Sequence, residues 1–384
     1  MNRRIRLAAM LALAAPAILL AKPQGPVADQ QTAAIQPPKI QLAILLDTSN
    51  SMDGLIDQAR QQLWQAVNEF SRAKRDGVTP VLEVAVYEYG NNGIDARHGH
   101  VRQVVGLTRE LDRVSEALFS LTTNGGDEYC GHVIAKAASH LQWSTSPSDV
   151  KAIFIAGNEP FTQGPTPFTE AIPGARERGI VVNTIHAGDY QTGLNEGWQQ
   201  GALLAGGNYM SIDHNQTVVH VEAPQDEQIA RLNAQLNETY IPYGTDGAAG
   251  AARQHEQDSN SSGVSPSLLA ERAKSKAMVF YNNANWDLVD AVESGEADLD
   301  VIEPEALPVE MQSMAPEALK DFVDGKAKER AELKAEIVEL GRQRDAYVAG
   351  QRTAQAEEGA DTLNEALTES VRKHAVSRDF VFAE

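Results

Sequence analysis

The chain has 384 residues, 42% hydrophobic and 22% charged, which is enough apolar material for a sizeable core and by length suggests two domains. Its 33 Lys and Arg against 53 Asp and Glu leave a formal net charge of −20, which argues against holding nucleic-acid phosphate or anionic lipid through a general field and favours cationic partners and divalent ions. Cys130 is the single cysteine, so an intrachain disulfide is excluded.

The amino terminus has the pattern of an export signal (residues 1–21). Basic Asn2-Arg3-Arg4-Ile5-Arg6 precedes an apolar run from Leu7 to Ala21 that is short for a membrane span. Cleavage near Ala21 or after Ala28 would release a periplasmic or secreted protein; an uncleaved signal anchor is the alternative. Residues 22–38, rich in Pro, Gln and Ala, read as a tether.

From Lys39 the pattern alternates between strand and helix. Leu42 to Leu46 is an unbroken apolar run, as expected of a strand buried on both faces of a parallel sheet. It stops at Asp47, and Ser49 and Ser51 follow at alternate positions. Leu55, Ile56, Ala59, Leu63, Val67 and Phe70 then share one helical face. Val81–Tyr89 is a second strand, and His100–Leu107 is a third, close enough to pair with it as a hairpin. Further strands are expected at Val150–Ala156, Ile180–His186 and Tyr209–Ile212. Helices are expected at Glu110–Leu121, Val133–Trp143, Phe168–Arg178 and Trp198–Leu204, with Glu227–Leu236 closing the domain. This predicts an α/β fold over residues 39–244, a doubly wound, mostly parallel sheet with one antiparallel edge strand.

Residues 245–263, small and polar without a large apolar side chain, read as a linker. Residues 264–384 read as an acidic α-helical C-terminal region. There Leu333, Ile337, Leu340 and Tyr347 share a seam that Arg344 interrupts, and Lys326 and Arg330 sit where the seam would need apolar residues. A helical hairpin against the first domain, or a short coiled coil, fits that pattern better than a long free coil.

In an open α/β sheet, ligands bind where the chain leaves the carboxyl end of a strand. Asp47, Ser49 and Ser51 there form a set of hard oxygen ligands suited to Mg2+, Mn2+ or Ca2+. The plain alternative is that Asp47 and its neighbours only cap the following helix. The apolar strand, the D-x-S-x-S pattern and the long amphipathic helix together resemble the metal-ion-dependent adhesion site of a von Willebrand factor type A domain, over about Lys39 to Gly244. The resemblance implies a binding module, not an enzyme, whose ion receives an acidic group from a protein partner. It also implies ligands from two more loops. In Leu121–Gly131 the first choice is Asp127, after Gly125-Gly126, with Thr123 and Glu128 as alternatives. The third loop departs from the pattern: Gly157 stands where the family has Asp, leaving Asn158 or Glu159 to reach in. That departure implies an ion held weakly, completed by a partner's carboxylate, or absent.

Two rival functions follow from the same residues. One is a cell-envelope structural or interaction protein whose metal site has degenerated, as Gly157 suggests. The other is a hydrolase or phosphotransferase using Asp47 as nucleophile. Against the second, position 49 is Ser where D-x-D-x-T enzymes carry a second Asp, and neither G-x-S-x-G nor G-x-x-x-x-G-K occurs. His98 and His100, near Asp95, are expected to be surface residues and not a transition-metal site.

Overall fold

β1 (Lys39–Asp47) lies at the middle of a six-stranded sheet because its apolar run satisfies two layers of helices at once. Ile40, Leu42, Ile44 and Leu46 enter one core, and Ala43 and Leu45 enter the other. This computed structural model describes residues 37–215, 220–355 and 363–382, so the expected signal segment and nearly all of the tether lie outside the described residues. After α1 (Asp53–Phe70) and a two-residue β2 (Ala73–Lys74) come β3 (Val81–Tyr89), β4 (Val101–Thr108), α2 (Leu111–Ser120), α3 (Cys130–His140) and β5 (Val150–Gly157). Then follow α4 (Phe168–Glu177), β6 (Val181–Ala187), α5 (Tyr190–Asn195), α6 (Trp198–Ala205) and β7 (Tyr209–Ile212). The sheet order is β4-β3-β1-β5-β6-β7, parallel throughout except that β4 runs antiparallel to β3 at the edge. The predicted fold class is therefore the observed one, with the helical region following it.

The domain closes differently from the sequence expectation. The helix at α7 (Asp226–Asn237) does not cover the sheet; Ile229, Leu232 and Leu236 pack in a separate core with Ala270, Ala273, Trp286 and Ile337. The sheet face beside α1 is covered instead by α12 (Leu363–Val376), whose Leu363, Ala366, Leu367, Val371 and Ala375 join the β1 core. The last strand, β8 (Val381–Phe382), then pairs with β2. The described residues between β7 and α12 thus form an insertion into the α/β domain, and the expected boundary at residue 244 falls within one compact unit. Local patterning cannot reveal a helix that returns to the sheet after some 150 residues.

The expected linker is also corrected. Residues 247–264 form α8 (Gly247–Val264), with Gly250, Gln254, Gln257, Asp258 and Ser261 buried. Its inward face carries no large apolar groups because it is fixed by polar contacts. Asp258 receives hydrogen bonds from Arg272 (2.6 Å), Asn237 (2.7 Å) and Asn233 (2.8 Å), and Gly250 lies against the Trp286 ring. Next come α9 (Pro266–Ala277), α10 (Leu288–Ser294) and the 40-residue α11 (Pro316–Gln355).

α11 is no coiled-coil partner; it docks on α7 and α9, with Ile337 buried and Leu333 and Leu340 packed beside it. The two arginines that break its apolar seam are its anchors. Arg330 donates to Asp287 (2.6 Å), Asp290 (2.8 Å) and the Thr239 carbonyl (2.6 Å), with its guanidinium 4.0 Å from the Tyr240 ring centre. Arg344 donates to Asp226 (2.6 Å) and to Glu271. Removing one partner of such a buried set leaves bare charge behind, so Arg330→Ala should cost about 3–5 kcal/mol of stability. Arg342→Ala, on the exposed face of the same helix, should leave the denaturation midpoint unchanged. Equal midpoints for the two variants would contradict this anchoring.

Candidate metal centre

β1 delivers Asp47 to the carboxyl edge of the sheet, fully buried. The helix-cap alternative fails locally: α1 has Met52 at its N-cap and no side-chain cap bond. Asp47 Oδ1 instead accepts the Ser49 amide (2.8 Å), which folds the loop back over the carboxylate and leaves Oδ2 without a partner.

The loop between α2 and α3 is fastened beside it. The Asn124 amide donates to the Thr48 carbonyl (3.0 Å), and the Gly125 amide donates to Asn50 Oδ1 (2.7 Å). This places the Glu128 side chain against Asp47, at the end of β3. Gly90 makes the approach possible: at φ +79°, a Cβ there would fall 2.7 Å from Glu128 Cγ and 2.8 Å from Asp47 Oδ1. Asp47 Oδ2, Ser49 Oγ and Glu128 Oε2 are all buried there without a hydrogen-bond partner, and so is Asn158 Oδ1 beside them. Buried polar atoms are rarely left unpaired, so this group calls for either a proton shared between the carboxyls or a bound cation.

Charge bears this out. Burial, and then the adjoining Asp47 carboxylate, push the Glu128 carboxyl up to about 9. Burial also raises Asp47 to about 6, opposed by the neighbouring Glu128 and Ser49 side chains and by the Ser49 and Asn158 amides. With no cation between them, the pair therefore keeps a proton at neutral pH. A divalent ion would take that proton's place. Among the described residues no group of three or more His, Cys, Asp and Glu is arranged to hold a metal. The cradle here has two carboxylates completed by hydroxyl and amide oxygens, a donor set that fits a hard cation.

The sequence-derived candidates divide. Asp47 and Ser49 lie in the cradle. Ser51 is exposed at its rim, where Oγ accepts from Asn158 Nδ2 (3.1 Å). Asp127 is exposed, and its carboxylate accepts the Tyr129 hydroxyl (2.9 Å), away from Asp47. Thr123 donates to Asp53 (2.6 Å) in the first turn of α1. Glu159 is exposed at the rim, close enough for its charge to act on Glu128. Glu128 was only an alternative in the sequence, because nothing in Asp127-Glu128 says which side chain turns inward. In the fold Glu128 is buried and Asp127 is not. His98 and His100 form no metal set: the His98 carbonyl holds Lys136 (2.8 Å), and His100 Nδ1 lies 3.0 Å from the Ile94 carbonyl.

Sheet order, antiparallel edge strand and the placement of Asp47 define a von Willebrand factor type A-like fold. The chain matches no family model and no curated protein. Among solved structures it is similar to the conserved hypothetical protein BatB from Bacteroides thetaiotaomicron, at 19% identity over 45% of this chain and 90% of that one (TM-score 0.34). It is also similar to the SpRpn10 VWA domain, at 15% identity over 47% and 99% (TM-score 0.33). A third is proximal thread matrix protein 1 from the mussel byssus, solved with a zinc-occupied MIDAS motif, at 12% identity over 46% of this chain and 42% of that one (TM-score 0.32).

A carboxyl raised by folding makes stability fall as pH climbs from its ordinary value to its folded one, because the unfolded chain releases the proton more readily. In ion-free buffer the protein should therefore lose stability from about pH 4.5, the ordinary value for Glu128, to about pH 9. Glu128→Gln should flatten that loss and melt higher than wild type at pH 8. A variant curve that overlays the wild type throughout would show that the pair carries no such strain.

Proposed function

We propose that this chain is a divalent-ion-dependent protein-interaction module that works outside the cytoplasm and does no chemistry of its own. The observation that carries the reading is the group of unpartnered buried oxygens on Asp47, Ser49 and Glu128. Hard divalent ions take six or more oxygen ligands. Such an ion, held here by two carboxylates and a hydroxyl, would keep positions for water or for an oxygen from a partner. A carboxylate from a partner protein is the group best matched to a cation at that edge, and the loops carrying Ser51, Asn158 and Glu159 would form the contact rim. Mg2+ is the expected ion, with Mn2+ and Ca2+ as alternatives.

Two features favour this over the rival readings. A site that had lost its ion would have no need to bury a second carboxyl against Asp47, where the two cannot both ionise. For catalysis, the prospective nucleophile Asp47 is fully buried. Export to the periplasm or beyond belongs to the same proposal and is supported by the amino-terminal pattern. Among the described residues no helix is long and apolar enough to cross a membrane.

Isothermal titration of Mg2+, Mn2+ and Ca2+ into the full-length chain tests the reading. Saturable heat with at least one ion is expected, and Asp47→Ala should abolish it. No heat from any of the three in folded wild type would overturn it. The full chain is required, because cutting at residue 244 would strip α12 from the sheet.

A further inference from the structure

The loop after β5 cannot deliver a carboxylate to the site through position 157. A Cβ at Gly157 would fall 2.4 Å from the Tyr89 hydroxyl and 3.1 Å from both Cβ and Oδ2 of Asp47. Tyr89 is itself fixed: it lies opposite Asp47 in the β1–β3 register, it is fully buried, and its hydroxyl donates to the Ala156 carbonyl (3.0 Å). The space where a side chain from 157 would stand is therefore filled from the neighbouring strand. The next two residues do not make good the loss, since Asn158 is neutral and Glu159 is exposed.

Glu128 approaches from the other side. It is 5% exposed, its Oε2 has no partner, and the chain around it is built to bring it in. Its own amide donates to Gln163 Oε1, and Gly126 packs so closely on the Gly90 carbonyl that a Cβ would lie 2.5 Å from that oxygen. The adjacent Asp127, with the same charge and one fewer methylene, is turned out to Tyr129.

The geometry points to Glu128 as the second protein carboxylate of the ion site, supplied by the α2–α3 loop in place of the residue that Tyr89 excludes at Gly157. It rests on the ion-binding reading above. Gly157 is then no sign of decay. It is the residue that lets Tyr89 close the floor beneath Asp47, while the charge needed to hold the ion comes from one loop earlier. The site has two protein carboxylates, which meet in the space left by Gly90, and its remaining oxygens are neutral.

Mn2+ and Mg2+ titrations of full-length wild type, Asp47→Ala, Glu128→Gln and Asp127→Asn, with melting curves to confirm folding, test this. Glu128→Gln keeps the shape and removes the charge, so it should weaken ion binding by roughly 100-fold or more, beyond the loss typical of a supporting residue. Asp127→Asn should bind as wild type does. If Glu128→Gln bound within a few-fold of wild type while Asp47→Ala did not bind, the assignment of Glu128 would fall and the ion site would stand. If wild type itself took up no ion, both would fall. If Asp127→Asn were the weakened variant, the second carboxylate would be Asp127 and the assignment would be overturned.

Discussion

Two carboxyl groups held together out of water cannot both ionise unless a cation lies between them. Asp47 and Glu128 are in that position at the end of the central strand, and the local structure keeps them there. Gly90 leaves the space in which they meet, Tyr89 forms the floor, and the Asn50 and Thr48 contacts fasten the loop that carries Glu128. A protein whose only need was a capped helix would have no reason to bury this pair, and Asp47 caps nothing. The constraint links strand register to site chemistry, because pairing Tyr89 with Asp47 both fills the place of a side chain at 157 and leaves charge to be supplied from elsewhere.

The helical region is built into the same domain. It begins after β7 and ends where α12 lies down beside α1, so it cannot be removed without uncovering Leu42, Ile44 and their neighbours. Its core is small, and buried arginines do much of the joining. Arg272 on α9 reaches Asp112 on α2 (2.6 Å) and stacks over Trp64 on α1 (4.7 Å), tying the insertion to the sheet-covering helices. Arg330 and Arg344 tie α11 to the rest of the insertion. Such fully satisfied charges fix one geometry more than they add stability. The cradle thus stands on a body whose two parts are joined at α1 and α2.

Most of the sheet was legible because each strand is apolar on both faces and each flanking helix repeats at 3.6 residues. The D-x-S-x-S pattern likewise pointed to the candidate cradle, since Asp47 falls where β1 ends. What escaped was everything decided by contacts distant in sequence. α8 looked like a linker because its inward residues are Gly, Gln, Asp and Ser, held by partners on α2, α7 and α9 that no local window contains. Arg330 and Arg344 looked like faults in a seam because their carboxylates lie 40 to 118 residues away. Within the site, Gly157 read as a missing ligand until Tyr89, 68 positions earlier, was seen to fill its place. The choice between Asp127 and Glu128 turns on a loop conformation set by Thr48 and Asn50.

The most direct measurement is the anomalous diffraction of Mn2+ in crystals of the full-length chain grown near pH 8. The account predicts one strong peak in the cradle, within bonding distance of Asp47 Oδ2 and Glu128 Oε2 and close to Ser49 Oγ. A well-ordered map with no peak there and the two carboxyls in direct contact would show that a proton, not a metal, is what this site was built to hold.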